Sequence, residues 1–139
     1  MKFTTILAAF SLLIAPALGV QVTYDTTYDI GSQSLSTVAC SDGVNGLLTK
    51  GYTTFSSLPT FPNIGGAQAV AGWNSPNCGT CWSLTWGGNN VTVLAVDHAG
   101  SGFNIGLQAM NTLTGGQAYD LGVVQATATQ LANSACGMK

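Results

Sequence analysis

The most continuous apolar stretch of the chain, Ile6 to Ala17, follows a basic start at Met1-Lys2 and ends in the small residues of Ala17-Leu18-Gly19. A charged start, a short apolar run and a small-residue cut are the features of a secretory signal. The run falls short of the roughly 20 apolar residues that a membrane span requires. Cleavage before Val20 makes residues 1–19 a signal peptide and leaves 20–139 as one domain by length. In that domain the apolar runs shorten. Val22 to Tyr24 and Leu35 to Ala39 read as strands parted by a turn at Gly31-Ser32. Asp42-Gly43 opens a helical turn through Leu48, with Asp42 as its cap and Gly51 as its stop. Leu58 to Gly66, with Pro59, Pro62 and Gly65-Gly66, reads as loop, and Ala67 to Gly72 as a turn of helix.

The later pattern is sharper. Cys81 to Trp86 and Val91 to Val96 flank Gly87-Gly88-Asn89-Asn90, a β-hairpin signal. The second of these strands is apolar on both faces near its end, as expected of a central strand. Asn104 caps a helix through Leu113 that Gly115-Gly116 ends, with Ile105, Ala109 and Met110 on one face. Val124, Ala126 and Ala128 alternate with Gln125, Thr127 and Thr129, a half-buried strand. Many short strands with few helices predict a small barrel, mainly β with short helices.

Charge narrows the partners. Without Lys2, the cations are Lys50 and Lys139 against five aspartates, with no arginine and no glutamate, a balance of −3. Nucleic acid and anionic membranes both demand clustered cations, so neither is expected as a partner. A surface of Ser, Thr, Asn, Gln and Gly suits a neutral, hydroxyl-rich partner such as a polysaccharide. All four cysteines, Cys40, Cys78, Cys81 and Cys136, lie in the mature domain. In an oxidising compartment they read as disulfides, with three connectivities open. Cys78-Gly79-Thr80-Cys81 also fits a redox pair or half a zinc site, but His98 is the only histidine. No metal and no cofactor is expected.

Several strings recur in a fixed order around these cysteines. Ser41-Asp42-Gly43 follows Cys40, then Asn45-Gly46-Leu47 and Phe61-Pro62-Asn63-Ile64-Gly65-Gly66. The run from Gly72 through Trp73-Asn74-Ser75-Pro76-Asn77 to Cys78-Gly79-Thr80-Cys81-Trp82 comes next. Gly102-Phe103-Asn104-Ile105, Ala126-Thr127-Ala128-Thr129 and Ser134-Ala135-Cys136 complete the order. Across nearly the whole mature chain this resembles the cerato-platanin family of small secreted fungal proteins. The resemblance implies a six-stranded double-psi β-barrel and the pairing Cys40–Cys78, Cys81–Cys136. It also implies action at cell walls: binding of chitin-type N-acetylglucosamine oligomers or cellulose, expansin-like loosening without hydrolysis, and elicitation of plant defence or phytotoxicity. A host receptor and self-assembly at interfaces are further partners that it implies.

Asp97 ends an apolar strand and precedes the glycine-rich segment His98-Ala99-Gly100-Ser101-Gly102. In similar barrels a comparable aspartate serves as an acid, but glycoside hydrolysis normally uses two carboxylates. The chain singles out no second one, so Asp97 reads as a binding or structural carboxylate and no catalytic residue is assigned. A weak hydrolase using Asp97 is the alternative. His98 reads as a hydrogen-bonded surface residue. Among the aromatics, Trp82, Phe103 and Trp73 are expected in the core, and Tyr24, Tyr28 and Trp86 as exposed stacking faces. Asn63, Gly65, Gly66 and Asn77 are expected as loop residues that hydrogen-bond the glycan. Asn90-Val91-Thr92 is a sequon at the hairpin turn, which makes Asn90 a glycosylation candidate.

Overall fold

A computed structural model describes residues 19–139; the signal peptide reading thus lies outside the described residues, Gly19 apart. Six strands are present: β1 (Val20–Tyr24), β2 (Ile64–Ala67), β3 (Cys81–Trp86), β4 (Asn89–His98), β5 (Phe103–Ile105) and β6 (Val123–Leu131). They close into a barrel in the order β1-β5-β2-β4-β3-β6. Two pairs are parallel, β1 with β5 and β2 with β4, and the others antiparallel. This is the double-psi barrel that the resemblance implied. Short helices α1 (Leu107–Thr114) and α2 (Ala118–Leu121) and four 3-10 turns complete it. Closure leaves no free sheet edge, which removes the usual route to strand-by-strand aggregation.

Side chains alternate into the barrel as the sequence pattern requires. Val22, Ile64, Leu84, Leu94, Val96, Ile105 and Val124 are buried, and α1 lays Ala109, Met110 and Leu113 against them. The hairpin between β3 and β4 turns on Gly87 (φ 55°) and Gly88 (φ 82°). Positive φ at both central residues is the geometry whose twist matches the flanking strands. The turn is thus tighter than expected, and Asn89 and Asn90 already belong to β4. β4 pairs on both sides, with β2 and β3, so it is central as its double-sided apolar pattern predicts.

Several predicted elements are corrected. The stretch 58–66 is not loop throughout, because β2 begins at Ile64, and residues 67–72 form no helix. Gly65 and Gly66 serve here for close strand approach, not for turns. A Cβ on Gly66 would sit 2.8 Å from the His98 carbonyl oxygen, and one on Gly65 2.6 Å from Ile105 Cα. Leu35–Thr37 is a 3-10 turn capped by the Ser34 hydroxyl, not a strand. Residues 42–51 are a series of turns tied back by Leu47 N–H to the Cys40 carbonyl and Leu48 N–H to the Ser41 carbonyl. Asn104 lies within β5, and α1 starts two residues past Ile105. Its start is fixed by Asp29, whose carboxylate accepts the N–H groups of Leu107 (2.6 Å) and Gln108 (3.0 Å). That cap comes from 78 residues away in sequence, so no local pattern announces it.

Both disulfides pair as the resemblance implied, Cys40 with Cys78 and Cys81 with Cys136. The first ties the turn-rich 38–52 segment to the loop that precedes β3. The second ties the start of β3 to the C-terminal turn Asn133–Cys136.

Candidate functional site

Asp97 is the penultimate residue of β4, opposite Gly66 of β2. Its carboxylate is half-buried and acts as an acceptor in every hydrogen bond recorded for it. Oδ1 takes the N–H groups of Ala39 (3.0 Å) and His98 (2.9 Å), and Oδ2 takes the Tyr28 hydroxyl (2.9 Å). Tyr28 is therefore no exposed stacking face: it is 6% exposed and packs against Phe55. Burial, then the Asp97 charge and hydrogen bond, then the Asp25 charge push its phenol well above the ordinary value. It remains a protonated donor throughout the working pH range.

Tyr28 and Asp29 are neighbours in one 3-10 turn (Thr26–Asp29), which Asp25 caps through Thr27 N–H. One residue of this turn holds the end of β4 and the next holds the start of α1. Beside them Pro62, Asn63, Gln108, Asn111 and Thr112 line an open depression of about 530 Å³. Its polar lining is amide and hydroxyl, with no charged group. Asn111 Oδ1 accepts Ala118 N–H, so the remaining hydrogen-bonding end of that side chain is its donor amide group. Asn63 is anchored through its carbonyl, which accepts Leu94 N–H.

The other predicted site residues divide. Gly65 and Gly66 lie buried in β2 and present no loop backbone. Asn77 is exposed, and its side chain donates to the Ala69 carbonyl at 2.9 Å. Tyr24, half-buried at the end of β1, meets exposed Tyr119 edge-on at 5.8 Å. Trp86 is half-buried and pairs with Asn89 at the hairpin end of β4. Eight residues of strand, about 26 Å, separate that end from Asp97, so Trp86 shares no site with it. His98 Nδ1 lies 2.6 Å from the Val70 carbonyl, a structural contact. Phe103 is buried as expected, whereas Trp82 is half-buried against it at 5.4 Å.

Trp73 reverses its expected placement. It is 62% exposed, and its indole N–H donates to Asp42 Oδ1 at 2.7 Å. That contact, ahead of a backbone hydrogen bond and one from Ser41, holds the Asp42 carboxyl below the usual carboxylate range. The missed signal is the company Trp73 keeps: Gly72, Asn74, Ser75 and Pro76 form a polar turn, not a periodic apolar run.

Chemically, the arrangement is equipped to accept and donate hydrogen bonds to an uncharged ligand. Asp25 and Asp29 are engaged with backbone N–H groups and Asp42 with Trp73. Among the described residues no cluster of His, Cys, Asp or Glu is suited to hold a metal ion. No helix of the described residues is long and apolar enough to cross a membrane.

Fold and site together define a small disulfide-bonded double-psi barrel with an uncharged, amide- and hydroxyl-lined depression linked to the Asp97 carboxylate through the Tyr28–Asp29 turn. The chain belongs to the cerato-platanin family, whose model matches residues 20–138. It is 51% identical to cerato-platanin 3 from M. perniciosa, whose crystal structure superposes with a TM-score of 0.83 over 86% of this chain and 99% of that one. The solution structure of the fungal elicitor cerato-platanin is 39% identical, with a TM-score of 0.76 over 84% and 96%. A heat-stable 19 kDa antigen of Coccidioides immitis is 42% identical over the full length of both chains.

Proposed function

We propose that this is a secreted, non-catalytic cell-wall protein that binds neutral β-linked polysaccharide of the chitin or cellulose type. The observation that carries the reading is the amide- and hydroxyl-lined depression between Pro62-Asn63 and α1, joined to Asp97 through the Tyr28–Asp29 turn. A glycan presents many hydroxyls and no charge, so its recognition calls for fixed donors and acceptors without a charged clamp. Asp97 contributes a fixed acceptor, while Asn63, Gln108 and Asn111 supply amides. Displacing interchain hydrogen bonds of the polymer by such contacts loosens it without breaking a covalent bond. Secretion is supported by the leader pattern and by two disulfides, which persist in oxidising compartments. Asn90, exposed on the outward face of β4 beside Ser83 and Thr85, is proposed as a glycan acceptor in the secretory pathway. A mass loss on treating the secreted protein with an N-glycosidase checks that assignment.

A second reading, elicitation of host defence or phytotoxicity through a receptor, is supported by the relative named as a fungal elicitor. Self-association at interfaces draws support from the exposed Tyr119, Leu121 and Val123. Leaf infiltration and surface-tension measurements address these two. The glycan reading is tested by depletion of the protein from solution with chitin or cellulose powder, run alongside an assay for new reducing ends. Depletion without reducing ends is expected. Steady release of reducing ends that Asp97→Asn abolishes would identify a hydrolase instead.

A further inference from the structure

Trp73 is largely exposed, yet its ring and its loop are held by several specific contacts. Its indole N–H is fixed to Asp42 Oδ1 at 2.7 Å. The next residue, Asn74, adopts φ +59°, a left-handed conformation uncommon outside glycine. Asn74 is locked to Asn45 by two hydrogen bonds, Asn45 N–H to Asn74 Oδ1 and Asn45 Nδ2 to the Asn74 carbonyl, each 3.0 Å. Gly43 completes the fit, since a Cβ there would lie 2.6 Å from Asn74 Oδ1 and 3.1 Å from the indole ring. The Cys40–Cys78 disulfide then ties the two loops together. The outcome is a large aromatic face left in water at a conformational cost, with its polar edge already satisfied.

Its position is equally specific. Ala39 donates to Asp97 and Asp42 accepts from Trp73. Three residues of chain, at most about 11 Å, connect these two contacts. The loop that carries Trp73 is anchored at its other side by the Val70 carbonyl to His98, the residue after Asp97. Trp73 thus stands on the same loop cluster as the fixed carboxylate. Beside its ring, Asp42 Oδ1 accepts the indole N–H and the Ser41 hydroxyl, and the exposed carboxylate has acceptor capacity beyond these two bonds for a ligand hydroxyl. A rigid aromatic face next to a carboxylate acceptor matches a pyranose ring, apolar on its C–H face and rimmed by hydroxyls.

We infer that Trp73 and Asp42 form an aromatic subsite that stacks one sugar unit of the polysaccharide chain held at Asp97. The inference rests on the glycan reading above and adds the residue that grips an extended polymer. The ring is pre-set in its binding geometry, so little ordering is lost on contact.

The test uses the mature protein with its disulfides intact and two readouts. Chitohexaose and cellohexaose are titrated while the indole N–H signal of Trp73, identified by its loss in Trp73→Ala, is followed. Retention on chitin and cellulose powders is compared for wild type, Trp73→Ala, Trp73→Phe and Asp42→Ala. A moving Trp73 signal, about tenfold weaker retention for Trp73→Ala, and partial retention for Trp73→Phe support the subsite. Asp42→Ala, which frees the ring without removing it, is expected to fall between wild type and Trp73→Ala. Shifts at Asn63 and Asp97 with a static Trp73 signal and unchanged retention overturn the inference and leave the glycan reading standing. No shift anywhere and no retention of the wild type overturns both. Loss of concentration-dependent association in Trp73→Ala, with retention unchanged, overturns the subsite in favour of a self-association surface.

Discussion

Tyr28 shows how much rests on single polar contacts here. Among the described residues its hydroxyl is the only side-chain donor to Asp97, and the other two donors are backbone N–H groups. Tyr28→Phe is expected to lower stability by about 1–2 kcal/mol, seen as an earlier urea midpoint with an unchanged slope. Asp42 gives a pH signature at the same scale. The Trp73 indole N–H leads the causes that hold its folded carboxyl below the ordinary 3.8. A carboxyl depressed in the folded state adds stability that is complete above its unfolded value and is lost as pH falls through the folded one. The Trp73 indole signal should therefore stay constant from neutral pH through the ordinary carboxylate range and titrate only below it. A signal that titrates near neutrality would contradict the contact.

At the scale of elements, α1 depends on a cap that it does not carry. Asp29→Ala should cost about 1 kcal/mol and Asp29→Asn considerably less, measured by denaturant unfolding. In β2, Gly66→Ala brings a Cβ against the His98 carbonyl. With strand backbone on that side there is little room to yield, so a loss of roughly 3 kcal/mol is expected. Both elements escape a local reading of the sequence, whereas others do not. The β3–β4 hairpin and β6 are legible because alternation and a Gly-Gly turn are local signals. β2 is not, because Gly65 and Gly66 carry the same letters in a turn as in a close strand contact. The start of α1 is displaced because the plausible local cap, Asn104, is taken by β5. The site followed the same rule. The placement of Asp97 at the end of an apolar strand is legible, whereas Tyr28 and Trp73 exchange their expected environments through partners distant in sequence.

At the scale of the molecule, two crosslinks close 38- and 55-residue separations, each worth about 4 kcal/mol in the chain-entropy model. Replacing Cys81 and Cys136 together by Ala should lower the melting temperature by roughly 15 °C; a drop of only a few degrees would show that the closed barrel supplies the rigidity alone. The disulfide pairing and barrel topology lay beyond alternation and spacing, since four cysteines permit three pairings; only the order of motifs around them, through the family resemblance, selected one. The low charge, the closed barrel and the amide-lined face all support the central proposal, that an uncharged glycan is bound near Asp97 without being cleaved. Backbone amide spectra during titration with chitohexaose test it most directly. Concentration-dependent shifts at Ala39, Asn63, Asp97 and Gln108, with Gly87 and Gly88 at the distant hairpin unmoved, are predicted. A spectrum unchanged at saturating oligosaccharide, or shifts confined to the hairpin end, would contradict the account.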